Sequence, residues 1–153
     1  MSEGHEPRGP LRLVPVDETN REACLAIHVR DDQVQFVASN AKSLRQAAEQ
    51  PTLVPRALLE GDEVVGFAMY QRRPDGAAYI WRVMVADAHQ GRGLGRRLLR
   101  LLVEEVRATG HTKVFLSHRP QNRVAERLFA SLGFAEYDLE PDGEVVRLLE
   151  WGA

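Results

Sequence analysis

Hydrophobic positions along the chain change period several times, and the changes mark out its elements. Leu11 to Val16 alternates apolar with polar and predicts a first strand, with Pro15 near its end. Asp17 or Thr19 can cap a helix carrying Ala23, Leu25, Ala26 and Ile27, up to about Val29. Asp31-Asp32-Gln33 breaks that pattern, Val34 to Ala38 is a short apolar stretch, and Ser43 reads as the N-cap of a helix through Gln50. Pro51 and Pro55 bracket a loop. Arg56 to Leu59 and Val64 to Arg72 form a hairpin around Glu60-Gly61-Asp62-Glu63, and Pro74-Asp75-Gly76 turns the chain into a buried strand, Tyr79 to Val85. Leu94, Leu98, Leu101, Leu102 and Val106 fall at helical spacing, and Gly110 ends that helix. Lys113 to Ser117 is a strand, and Asn122 to Leu132 a helix with Val124, Ala125, Leu128, Phe129 and Leu132 on its apolar face. Gly133 terminates it. Phe134 to Leu139 and Val145 to Trp151 are the last strands, joined through Pro141-Asp142-Gly143. The order is β-α-α-β-β-β-α-β-α-β-β.

Between the strand at Tyr79 and the long helix lies Gln90-Gly91-Arg92-Gly93-Leu94-Gly95-Arg96. Free N–H groups at a helix start, with the positive end of the dipole behind them, form a ready anion site. Glycine lets a backbone approach an anion closely. A Walker loop would need a Gly-Lys-Ser/Thr ending, and a dinucleotide fingerprint a Gly-x-Gly-x-x-Gly spacing; neither is present. The segment is either a glycine-rich turn or the pattern Gln/Arg-x-x-Gly-x-Gly/Ala, with Gln90, Gly93 and Gly95 in its places. That pattern resembles the pyrophosphate loop of the GNAT superfamily of acetyl-CoA-dependent N-acetyltransferases. A second motif joins it after the strand at Lys113: Asn122-Arg123-Val124-Ala125-Glu126-Arg127-Leu128-Phe129, then Gly133-Phe134. It resembles the superfamily's Asn-x-x-Ala-x-x-Leu-Tyr-x-x-x-Gly-Phe. The likeness covers the chain from Leu11 onward. It implies an α/β fold of GNAT type: a central, mostly antiparallel mixed sheet with a splayed strand pair, flanked by helices.

Composition narrows the partners. The chain has 153 residues, 44% of them hydrophobic and 27% charged, as expected of one globular domain over 11–153 behind a frayed tail at 1–10. A formal net charge of −2 argues against bulk nucleic-acid binding. The single cysteine, Cys24, is either a small buried hydrophobe or a reactive thiol and makes no internal disulfide. No run of about 18 apolar residues is present, so no membrane span and a cytoplasmic location are expected. His5, His28, His89 and His111 lack metal-ligand spacing, and no metal is expected.

A narrower likeness lies in Asp32-Gln33, Phe36-Val37-Ala38, Asn40, Ser43-Leu44, Val65 to Tyr70, Arg82 to Val85 and Gly143 to Val146. These are similar to bacterial spermine/spermidine and diamine acetyltransferases, which acetylate primary amines of short polycations. The resemblance implies acetyl-CoA as co-substrate and direct attack by the amine in a ternary complex. It places the pantetheine arm against backbone of Met84 and Val85, and the pyrophosphate on Gly91 to Arg96, with Gln90, Gly93 and Gly95. Arg92 or Arg96 adds charge there, or belongs to a solvated face as Arg97 and Arg100 do. Asn122 contacts the CoA arm. The usual tyrosine, proposed proton donor to the thiolate, is Phe129 here. Candidates for the base are Tyr79, otherwise a packed strand aromatic, and His118, otherwise a loop histidine. Candidates for the acceptor side are Asp31, Asp32, Gln33 and Glu144, otherwise solvated residues. Three functions fit: a small-molecule amine acetyltransferase, polyamine-like; a protein or peptide amine acetyltransferase; or a catalytically weak acetyl-CoA-binding module. Exposed last strands in this fold often support homodimers.

Overall fold

A computed structural model describes residues 9–27 and 40–151. Asp31, Asp32, Gln33 and the stretch 34–38 lie outside the described residues, as do the tail through residue 8, His28 and Val29. Seven strands form one sheet: β1 (Leu11–Pro15), β2 (Leu53–Glu60), β3 (Glu63–Arg72), β4 (Ala77–Val85), β5 (Lys113–His118), β6 (Ala135–Leu139) and β7 (Val145–Glu150). Their spatial order is β1-β2-β3-β4-β5-β7-β6. Every neighbouring pair is antiparallel except β4 and β5. Among the described residues, four helices accompany the sheet: α1 (Arg21–Leu25), α2 (Asn40–Glu49), α3 (Leu94–Ala108) and α4 (Arg123–Ser131). A short 3₁₀ turn covers Asp87–His89.

Two apolar layers explain why the central strands read as unbroken hydrophobic runs. On one face Val54, Leu58, Ala68, Tyr70 and Ile80 meet the buried stripe of α3, Leu94, Leu98, Leu99, Leu102 and Val106, together with Phe129 of α4. On the other, Leu53, Ala57, Phe67, Met69 and Met84 pack with Cys24 of α1 and Leu44 of α2. Glu105 of α3 is tied to the sheet by the Arg56 guanidinium at 3.0 Å and by the Tyr70 hydroxyl.

Three local expectations are corrected. Pro55 lies inside β2, not in a loop; β1 ends opposite Arg56, so at Pro55 the strand has no β1 partner and the missing N–H costs no ladder bond. Ser43 is buried within α2, which begins at Asn40. Asn20, not Asp17 or Thr19, occupies the N-cap of α1; the Asp17 carboxylate instead accepts from the Thr19 N–H and hydroxyl.

The sheet opens where it matters. β4 pairs with β5 only over Ala77–Ile80 and Lys113–Leu116. Register between β3 and β4 slips at the same level: Tyr70 faces Ile80 while Met69 faces Arg82, so Trp81 is an extra, bulged residue. A bulge bends its strand and re-aims side chains. Beyond it β4 diverges from β5, whose Ser117 and His118 stay paired to Val146 and Val145 of β7. This is the splayed pair.

Candidate active site

A cavity of about 180 Å³ fills the splay. β4 contributes Ile80 to Val83, β5 contributes Leu116 to His118, and α4 with its preceding loop contributes Asn122, Ala125 and Phe129. Arg119 and Glu144 close it. The Met84 carbonyl lies 2.9 Å from where a Cβ on Gly66 of β3 would sit, so the Met84 peptide faces β3. Peptide groups alternate sides along a strand. Those of Val83 and Val85 therefore face the splay, and the Met84 peptide is turned away from it. The Met84 side chain is buried in the opposite layer.

The glycine loop follows β4. The Gln90 side chain donates to the Val85 carbonyl at 2.9 Å and ties the loop to the end of β4. Gly91 and Gly93 have φ of 81° and 77°, the left-handed region, and a Cβ at either would meet nothing within 4 Å. Glycine is the residue that adopts this backbone without strain. Gly93 is the N-cap of α3 and no side chain caps the helix, whose first N–H groups have no partner within the helix. Gly95 is packed: a Cβ there would touch Leu128 at 3.6 Å and Val85 at 3.9 Å. An open glycine-lined surface over an uncapped 15-residue helix fits a pyrophosphate. Of the two arginines, Arg92 turns to Glu60 at 2.6 Å, and Arg96 donates to the Ser131 hydroxyl of α4 at 2.6 Å.

The remaining expected residues separate. Asn122 lines the cavity and caps α4, its Oδ1 accepting from the Ala125 N–H at 3.1 Å; the cap uses the oxygen only. His118 is buried with both nitrogens engaged. Arg147 Nε, which can only donate, lies 3.0 Å from His118 Nε2, so the ring proton sits on Nδ1, 3.0 Å from the Arg119 carbonyl. A base at His118 thus meets a ring with no free lone pair. Tyr79 is not among the cavity-lining residues. It stacks on Phe115 and lies under the Arg73 guanidinium, 4.7 Å from its ring centroid. Burial, reinforced by Glu140 and Glu144, raises the phenol above its ordinary value, which opposes a phenolate base. Phe129 lines the cavity 5.9 Å from the His118 ring. Glu144 accepts from the Ser117 hydroxyl at 3.2 Å at the cavity wall.

Arg82 joins the site beyond the residues expected from the sequence, and a lone arginine inside the apolar run Tyr79 to Val85 is the signal that marks it. Its Nη1 donates to the Trp81 carbonyl at 2.8 Å, and Nη2 lies 3.5 Å from Gln46 of α2. Nε is buried without a hydrogen-bond partner. Burial lowers its ordinary pKa, with Glu144 opposing. Among the described residues no group of three or more His, Cys, Asp or Glu could hold a metal ion, and no helix is long and apolar enough to cross a membrane.

Splay, glycine loop and capped α4 together define an acyl-CoA-dependent transferase architecture. The Acetyltransferase (GNAT) family model matches residues 18–134, and the chain belongs to that family. It is 30% identical over 149 residues to the spermine/spermidine N(1)-acetyltransferase of Bacillus subtilis, covering 92% of this chain and 98% of that one. It is 39% identical over 94 residues to the L-methionine sulfoximine/L-methionine sulfone acetyltransferase of Salmonella typhimurium, covering 59% and 53%. The aminoglycoside acetyltransferase AAC(6')-Ib solved with coenzyme A superposes with a TM-score of 0.76 at 21% identity, over 92% of this chain and 95% of that one.

Proposed function

We propose that the protein transfers an acetyl group from acetyl-CoA to a primary amine of a small, polyamine-like molecule, by direct attack within a ternary complex. The observation that carries this is the cavity between the diverging β4 and β5, with the glycine loop tied by Gln90 to the end of β4 and leading into the uncapped start of α3. Acetyl-CoA supplies an already activated thioester. The chain's residues then bind and orient. Peptide groups of Val83 and Val85 align the pantetheine arm, N–H groups from Gly91 to Arg96 take the pyrophosphate, and the Asn122 carboxamide meets the arm where α4 begins. Holding donor and amine in one cleft replaces an encounter by a contact, which supplies much of the rate. Glu144, held by Ser117 at the cavity wall, faces the acceptor ammonium and takes its proton. Phe129 offers no acid, and none is required: a thiolate leaves readily and water can protonate it. Asp32 and Gln33 take part in binding the polyamine in this reading. The polyamine acceptor is supported by the Bacillus subtilis relative.

One observation favours a second acceptor class. The unpartnered Arg82 Nε beside the same cavity suits a carboxylate, as an amino-acid amine would bring. Initial rates over a grid of acetyl-CoA and acceptor concentrations test the main reading. Intersecting reciprocal plots are expected, whereas parallel plots would mean an acetylated enzyme and contradict direct transfer. Glu144→Gln should lower kcat and raise KM for a polyamine while leaving KM for acetyl-CoA alone; Arg82→Gln should raise KM only for a carboxylate-bearing amine.

A further inference from the structure

Beneath the glycine loop runs a chain of charged side chains that no binding contact requires. Glu60, the last residue of β2, has a side chain with no solvent exposure and takes Arg92 Nη2 at 2.6 Å. Arg92 Nη1 lies 3.0 Å from His89 Nδ1, and His89 Nε2 lies 2.9 Å from Glu63, the first residue of β3. A guanidinium only donates, so His89 Nδ1 accepts and its proton sits on Nε2, toward Glu63. Both arms of the β2–β3 hairpin thereby grip the segment that leads into α3.

The geometry points to Glu60 as a positioning residue for acetyl-CoA. It holds Arg92, and through Arg92 the loop from Gln90 to Gly95, in the shape that leaves the N–H groups over α3 open. This rests on the reading that the loop receives the pyrophosphate. Two glycines at positive φ, Gly91 and Gly93, give the loop many alternative backbones. Ordering them on binding would subtract from affinity; a loop ordered beforehand avoids that loss. A fully buried carboxylate is stable only with its partner in place, so the pair fixes one loop geometry.

The alternative role for Arg92, a side chain that contacts phosphate directly, predicts the opposite sign. Neutralising Glu60 would then release the guanidinium toward the ligand and tighten binding. Titration calorimetry with CoA on wild type, Glu60→Gln, Arg92→Gln and the double variant separates the two. The expected result is a Kd raised about tenfold in Glu60→Gln, with the double variant no weaker than Arg92→Gln because both remove one link. KM for acetyl-CoA should rise in parallel while kcat and KM for the amine stay put. Glu63→Gln, at the exposed outer end of the chain, should raise Kd by a smaller factor and carries the test if Glu60→Gln fails to fold. CoA bound by Glu60→Gln as tightly as by wild type, or more tightly, overturns the assignment, as does an unchanged Kd in Glu63→Gln. Wild type that binds no CoA would instead remove the acetyl-CoA site itself.

Discussion

Asn122 caps α4 and is proposed to contact the CoA arm, and substitution can separate the two roles. Its Oδ1 caps α4 through the Ala125 N–H at 3.1 Å, and α4 is nine residues long and carries Phe129 into the cavity wall. Asn122→Ala removes the cap, which costs about 1 kcal/mol. For a chain of this size that lowers Tm by about 2–4 °C. Asn122→Asp keeps an accepting oxygen and places negative charge at the helix start, so its Tm should match or slightly exceed wild type. It also deletes the two N–H donors assigned to the CoA arm. One such hydrogen bond is worth about 0.5–1.5 kcal/mol, or roughly 2- to 13-fold in Kd. Scanning calorimetry and CoA titration on both variants read the two effects independently. If Asn122→Asp binds CoA as wild type does, the carboxamide is no ligand contact. If Asn122→Ala melts with wild type, the cap does not hold α4.

Two further outcomes follow from the packing. Gly66→Ala would drive a Cβ to 2.9 Å from the Met84 carbonyl and 3.3 Å from Leu58 Cβ, between strands that cannot easily part. A loss of about 1–3 kcal/mol in denaturant unfolding is expected, and an unchanged midpoint would refute the β3–β4 register. Burial first, then Asp17, pushes the Cys24 thiol from 9.0 up to about 11. The unfolded thiol loses its proton before the folded one, so stability should fall as pH rises from about 9 toward 11. Cys24→Ala should lose that alkaline limb of the unfolding curve; a limb of the same size would place its origin elsewhere.

Elements with strong periodicity were legible in the sequence. The leucine stripe of α3 and the dense apolar runs of β3 and β4 each outweigh any competing local signal, and the glycine loop lies between two of them. Pro55 and Ser43 misled because their local tendencies were overruled by neighbours distant in the chain: the end of β1 freed the proline's strand edge, and packing against the sheet buried the serine in α2. The Glu60–Arg92 pair spans 32 positions, and nothing in either residue's surroundings announces the other. His118 stood out by type and place, at the end of β5. That Arg147 occupies its Nε2 depends on the pairing of β5 with β7, which sequence spacing does not reveal. Arg82 and Arg147, charged residues inside apolar strands, were the visible but unread signals.

The most direct test of amine acetylation is thiol release from acetyl-CoA, followed with and without spermidine, spermine, simple diamines and an amino-terminal peptide. Amine-dependent release with the short polyamines, from wild type with Phe129 in place, is the predicted result. Release with none of these amines, from protein that still binds CoA in the calorimeter, would contradict it and leave an acetyl-CoA-binding module.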